Sequence, residues 1–359
     1  MKIAVLGGGN GSHAAVADFS EAGHEVRFWR RDRNAFGAIA RDRALTLRDS
    51  KGARRVSIAV VTGDLAEAAR GAELIVAPVP AFAQEDLARS LAPHLRDGQV
   101  VYLPPGSFGS YLMMKALRDS GCAADVAIAE TGTLPWLTRK HGANEVAITT
   151  RATRLPTGVF PARLGGRALN VISQAFPKVA EPIEDALSAA LMNAGPIIHP
   201  PLILMNAGPI EHFERWDIHK EGTQPSIRRV HDALDAERIA VRKALGYSAP
   251  HFPLADHYNT SNWMYGDLAH DKLVDSGDWY EHLDLLTHRY MREDVAIGLS
   301  FLVSVGEWSG TPMPVAAGLL ALAGAAIGAD LRSDGRTLER LGLANFSRDE
   351  MRKLLREGL

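Results

Sequence analysis

Residues 3–6 read Ile3-Ala4-Val5-Leu6, residues 7–12 read Gly7-Gly8-Gly9-Asn10-Gly11-Ser12, and residues 25–29 read Glu25-Val26-Arg27-Phe28-Trp29, with an alanine-rich stretch between. Apolar run, glycine turn, helical stretch and second apolar run form the opening of a parallel βαβ unit. Each small residue of the turn has its own task. Gly7 permits the tight turn, Gly9 lets backbone approach a pyrophosphate, and the third small position lets the helix pack closely on the strand. Here that position is Ser12, a departure from the usual glycine or alanine. The helix then presents the unpaired N–H groups of its first turn, around Asn10 and Gly11, to an anion. The expectation is a dinucleotide site.

The end of the second strand bears on which dinucleotide. NAD-binding units place Asp or Glu there to meet the adenosine ribose, whereas NADP-binding units put Arg nearby for the 2′-phosphate. This chain continues Arg30-Arg31-Asp32-Arg33. Guanidinium groups meet a phosphate dianion through charge-assisted, often bidentate hydrogen bonds. Arg30 and Arg31 therefore favour NADP(H), while Asp32 keeps NAD(H) open if its loop turns inward.

Length and composition set the frame. The 359 residues, 46% of them hydrophobic, suffice for two cores. A net charge of −2 speaks against nucleic acid or a membrane surface as partner, since neither attracts a near-neutral protein. One cysteine, Cys122, excludes an internal disulfide framework and a cysteine-rich zinc site, and suits a reducing cytoplasm. Ile3–Leu6 is too short for the apolar core of a signal peptide. The uncharged stretch Thr311–Ala329 is interrupted by Pro312, Pro314 and glycines, and reads as a buried helix or a subunit interface, leaving room for a homodimer.

The first half alternates strand and helix signals, with strands expected at 56–61, 72–80, 99–103, 126–130 and 145–150. Repeated βα units imply a doubly wound parallel sheet, whose ligands sit beyond the carboxyl ends of the strands. Pro78, after the third of these strands, joins Gly7, Gly9, Asn10, Gly11, Ser12, Arg30 and Arg31 as an expected cofactor contact. From about Pro177 the periodicity turns helical, at 184–192, 225–246, 282–304, 315–329 and 347–357. The fold class expected is α/β, an N-terminal Rossmann domain over 1–178 followed by an all-helical domain over 179–359 that supplies substrate contacts and acid–base groups.

Two segments of the second half carry candidate chemistry. One, Asn193-Ala194-Gly195-Pro196-Ile197-Ile198-His199-Pro200-Pro201, sets a histidine among apolar residues and prolines. The other, His288-Arg289-Tyr290-Met291-Arg292-Glu293-Asp294-Val295, opens an apolar helix. On an α-helix Arg289 and Glu293 share a face, and Asp294 lies about 140° round from Arg289.

These segments, the glycine turn with His13, Pro104-Pro105-Gly106-Ser107, Ala129-Glu130-Thr131 and Gly335-Arg336-Thr337-Leu338-Glu339-x-Leu341-Gly342 occur in one order that resembles the opine dehydrogenase family, over residues 1 to about 345. The resemblance implies reduction by NAD(P)H of the imine formed between an amino acid's α-amine and a 2-oxo acid. It assigns His199 and Asp294 to an acid–base dyad, and Arg289 to a substrate carboxylate. The chemistry agrees. Imidazole delivers protons near neutral pH, a carboxylate on its other nitrogen fixes the tautomer, and a guanidinium fork grips a carboxylate. His13 is read either as a pyrophosphate contact or as the start of the helix.

Two rivals stand beside this reading: a ketopantoate- or hydroxy-acid-type reductase, which typically uses a lysine donor, and a nucleotide sensor without turnover. Gly106-Ser107-Phe108-Gly109 lacks the first glycine of a nucleophile elbow, and the thirteen histidines form no H-E-x-x-H pair, so neither serine-hydrolase nor metal chemistry is expected.

Overall fold

Ile3, Ala4, Val5 and Leu6 are wholly buried because β1 (Lys2–Leu6) runs through the middle of a sheet covered on both faces. The computed structural model describes residues 1–266, 268–279 and 282–359. These form two compact units, Met1–Ala190 with Lys353–Leu359, and Leu191–Arg352.

In the first unit, β1 pairs in parallel with β2 (Glu25–Trp29) on one side and with β6 (Leu74–Val76) on the other. The sheet grows outward in both directions. Beyond β2 lies β5 (Val60–Thr62), and beyond β6 come β7 (Val100–Leu103) and β8 (Ala127–Thr131), all parallel. The strand order thus reverses between β1 and β6, which makes the carboxyl end of β1 the topological switch point where such sheets bind ligands. At the far edge β11 (Leu155–Phe160) runs antiparallel to β8 and pairs in parallel with β12 (Ala180–Pro182). The doubly wound sheet is as expected, apart from this reversed edge.

A second, four-stranded sheet was not foreseen. It has the order β4-β3-β10-β9, from β3 (Ala44–Asp49), β4 (Gly52–Ser57), β9 (Trp136–His141) and β10 (Glu145–Arg151). The strand expected over 56–61 is therefore split between two sheets, and that over 145–150 leaves the parallel sheet altogether. Two hairpins distant in sequence meet through β3 and β10, which pair in parallel. Polar groups fasten this sheet to α1 (Asn10–Glu21). Arg151 donates to Asp18 at 2.7 Å and to Asp49 at 2.9 Å, and Arg54 joins Asp49 to Glu21. The hydrogen-bonded Arg54 guanidinium holds the Asp49 carboxyl far below the ordinary carboxylate range. Trp136, fully buried, donates Nε1–H to Asp18 at 2.8 Å and packs edge-on to Phe19.

Among its described residues the second unit is helical, with no strand. Its long helix, Pro225–Ala244, starts at a proline whose missing N–H costs nothing at that position. It buries Arg238, which is satisfied by Asp235 at 2.6 Å and by the Leu191 and His251 carbonyls at 3.0 and 2.8 Å. The helix expected over 282–304 begins later. Asp284 accepts from the N–H groups of Leu286 and Thr287, a turn that competes with helix formation. Regular winding starts at Tyr290 as a π-helix to Leu299, then continues as an α-helix over Ser300–Ser309.

Candidate active site

At the carboxyl end of β1 the chain turns through Gly7, whose φ of +120° is open to glycine but strained for residues with a Cβ. Gly9 flanks α1 with no side-chain cap, and a Cβ there would meet nothing within 4 Å. The start of α1 is thus open at Gly9, and the buried Oγ of Ser12 has no hydrogen-bond partner. Such a cradle fits a pyrophosphate. Gly11 is closely covered by Pro78 and Leu134, while Asn10 turns its Oδ1 to the Lys140 N–H at 3.1 Å. His13 is fully buried, its ring nitrogens 2.9 Å from the Gly9 carbonyl and 3.1 Å from that of Ala143. That placement makes it a brace under the turn.

Beside this turn lies a cleft of about 240 Å³ lined by Gly7, Gly8, Arg30, Arg31, Asp32 and Val79, among others. The Arg30 guanidinium lies so close to Gly8 that a Cβ there would overlap it, and it is steadied by the Ala35 carbonyl and the Phe36 ring. Asp32 is occupied locally, accepting from the Asn34 N–H at 2.9 Å. The Arg30 and Arg31 expected at the ribose end do line the cleft. Farther along the sheet, wholly buried Glu130 accepts from the Phe108 N–H at 2.9 Å and from Ser110 Oγ at 2.5 Å. Its carboxylate fills the space a side chain at Gly106 would need, fixing the Pro104–Ser107 turn beyond β7.

The second unit brings His199 and Asp294 together. His199 stands on the helix Gly195–Leu204, whose Pro200 and Pro201 remove two backbone donors. Its Nδ1 lies 2.8 Å from Oδ2 of Asp294, on the π-helix Tyr290–Leu299. Both side chains are largely shielded, at 14% and 6% exposure. Burial pushes the Asp294 carboxyl above its ordinary range, against the pull of Arg289 and His288. An ionised carboxylate can only accept, so Nδ1 donates in this bond.

The π winding corrects the face argument made for an α-helix. With i→i+5 hydrogen bonds over Tyr290–Leu299, the α-helical angle between these positions no longer holds, and Arg289, which flanks the π-helix, is near enough to Asp294 to pull its carboxyl down. Arg289 keeps half of its side chain exposed, its Nε 3.7 Å from Oε2 of Glu293.

Four contributing residues carried no signal in the sequence. Tyr290 lies flat on His199, centroids 3.7 Å apart and planes 13° off parallel. His219 meets the same imidazole edge-on at 6.1 Å. Gly195 and Gly298 let the two helices approach, since a Cβ on Gly195 would overlap Asp294 and one on Gly298 would overlap Pro196. Gly195 and Tyr290 stood inside the quoted segments, but nothing local marked their roles. Elsewhere in this unit Trp263, Tyr258 and Tyr265 form a packed cluster around the buried His257, with Trp263 nearest at 4.6 Å. Among the described residues no group of His, Cys, Asp or Glu could hold a metal ion.

Comparison with known proteins bears on both units. A family described as NAD/NADP octopine/nopaline dehydrogenase, alpha-helical domain, matches residues 182–327. One described as NAD-dependent glycerol-3-phosphate dehydrogenase N-terminus matches residues 2–115. An opine dehydrogenase of Arthrobacter sp. (strain 1C) is 31% identical over 349 residues, 96% of each chain. A solved octopine dehydrogenase in complex with NADH and agmatine superposes with a TM-score of 0.74 at 20% identity, over 99% of this chain and 98% of that one. An NADP+-bound yersinopine dehydrogenase superposes at 0.64 and 15% identity, over 99% and 98% of the two chains.

Proposed function

Because the chain belongs to the opine dehydrogenase family, whose members are NAD(P)-dependent oxidoreductases acting on CH–NH bonds, we propose that it joins an amino acid to a 2-oxo acid by reducing the imine between them. The observation that carries this reading is the 2.8 Å contact of His199 Nδ1 with Asp294, a pairing suited to proton donation from Nε2.

When bound, the nicotinamide cofactor supplies a hydride. The residues handle protons and charge. Condensation of the α-amine with the keto group releases water and leaves a C=N bond. His199 gives its Nε2 proton to the imine nitrogen, which makes the neighbouring carbon electrophilic and leaves an amine after reduction. Asp294 holds the ring in the tautomer and orientation required and stabilises the imidazolium form. Arg289, half of whose side chain is exposed, grips a substrate carboxylate. Gly7, Gly9, Asn10, Gly11, Ser12 and Pro78 shape the pyrophosphate cradle, and Arg30 and Arg31 receive a 2′-phosphate, which makes NADP(H) the preferred cofactor. The engagement of Asp32 by Asn34 supports that preference over NAD(H). A cytoplasmic setting suits the single, buried, unpaired Cys122.

The test is NADPH oxidation measured across a matrix of 2-oxo acids, each with and without every common amino acid. Oxidation that requires both partners is expected. Oxidation by an oxo acid alone would favour a hydroxy-acid reductase, and binding without turnover on any pair would favour a sensor.

A further inference from the structure

We propose that Lys140, on the second sheet, is a further cation of the dinucleotide site and meets the pyrophosphate at the start of α1. The inference rests on the nucleotide reading above and extends it to a residue far from the glycine turn in sequence.

Register places the side chain. β9 runs back along α1: Trp136 donates to Asp18 near the end of that helix, and the Lys140 N–H donates to Asn10 Oδ1 at its first residue. Side chains alternate along a strand, so Lys140 falls on the same face as Trp136, whose ring packs on Phe19 of α1. The lysine therefore projects toward α1 at the end where the uncapped N–H groups and the unpartnered Ser12 Oγ lie.

Its surroundings lack a counter-charge. No carboxylate pairs with Lys140 among the described residues, and the charged groups it feels, Arg30 and His13, are cationic or become so on protonation. Partial burial and Arg30 both press its ammonium below the usual lysine range. A cation kept half-buried among cations, next to a helix N-terminus, is stabilised by an anion in that space. The Arg151–Asp18–Asp49 network and the buried Trp136 hold β9 in place, so little ordering is left for binding to supply.

The experiment is a fluorescence titration of the whole protein with NADPH and with NADH, for wild type, Lys140→Gln and Lys140→Arg. Both dinucleotides carry the pyrophosphate. Lys140→Gln is therefore expected to raise the two dissociation constants alike, by roughly tenfold or more, the worth of one charge-assisted hydrogen bond. Lys140→Arg should restore most of the affinity, and the melting temperature of the unliganded protein should stay unchanged in both variants. Weakening confined to NADPH would move the contact to the 2′-phosphate and overturn the assignment, as would unaltered binding of both. Wild-type protein that binds neither dinucleotide would instead remove the nucleotide reading on which the inference stands.

Discussion

The ring of Tyr290 lies on the imidazole of His199 as a parallel plate, 3.7 Å between centroids. One hydrogen bond to Asp294 fixes the imidazole in its plane, and one aromatic face stops it from swinging out of that plane. Together they aim Nε2. Tyr290→Phe keeps the plate and should turn over within about threefold of wild type, whereas Tyr290→Leu should lose roughly 3–10-fold in kcat, the kinetic equivalent of one aromatic pair. Steady-state kinetics at saturating substrates check this. Equal turnover for the two variants would show that the stack has no part in aiming the ring.

Asp294 should trade stability for activity. Its carboxyl is almost fully enclosed, and burial raises its pKa, so holding it ionised works against the folded state. Asp294→Asn removes the charge while keeping the shape. The variant should lose roughly 10²–10⁴-fold in kcat, the usual worth of an acid–base group, with a melting temperature equal to or above that of wild type. A large loss of stability together with activity would make Asp294 a structural residue.

Close helix approach at Gly195 sets the dyad's spacing. A methyl group there would overlap Oδ1 of Asp294, and the loop before it is already tied by the Asn193 side chain, which accepts from the Gly195 N–H at 3.0 Å. Gly195→Ala should therefore push the helices apart, costing about 1–3 kcal/mol of stability and most of the turnover. Gly208→Ala, at a helix position where a Cβ meets nothing within 4 Å, is the matched control and should leave turnover unchanged. Chemical denaturation and kcat, measured on both, decide it.

The sequence exposes these features unevenly, for physical reasons. The βαβ opening at 3–29 was legible because strand, turn and helix signals follow one another with local spacing. The second sheet was not, since its hairpins pair across widely separated sequence and no local pattern says which partner β10 will choose. His199 and Asp294 were picked out together by family resemblance, because apolar context and helical spacing alone do not pair residues so far apart. The π winding over Tyr290–Leu299 is a change of one residue in hydrogen-bond register, invisible to hydrophobic periodicity. Lys140 gave no signal at all, since the role proposed for it depends on how the second sheet lies against α1.

Arg30 packs against Gly8, and its guanidinium borders the cleft where an acidic ribose contact would otherwise stand. Arg30→Asp should replace attraction for a 2′-phosphate by repulsion while offering a ribose acceptor. The NADPH dissociation constant is expected to rise roughly 10–100-fold, with NADH binding unchanged or tighter. Isothermal titration with each dinucleotide measures the ratio. An equal loss for both would remove the cofactor preference.

Buried histidines should govern stability in mild acid. Desolvation lowers the pKa of His257 from 6.5 to about 3, and those of His231 and His13 in the same direction. Each is neutral in the folded chain at a pH where the unfolded chain binds a proton, so stability rises with pH in that range. The His257 contribution is complete above pH 6.5 and is lost progressively as the pH falls toward 3. Carboxylates held low by arginines, such as Asp49 and Glu21, begin to lose their contributions only below about pH 4.5. Asp294 and Asp217, raised by burial, act in the opposite sense in mild acid, so the informative quantity is a difference between variants. His257→Phe keeps an aromatic ring against Trp263 but has nothing to protonate. Between pH 6.5 and 5 its unfolding free energy should fall less steeply than that of wild type, approaching a difference of about 1.4 kcal/mol per pH unit, one proton's linkage. Parallel slopes in urea unfolding at pH 5.0, 5.5, 6.0 and 6.5 would show that His257 takes up its proton in the folded state.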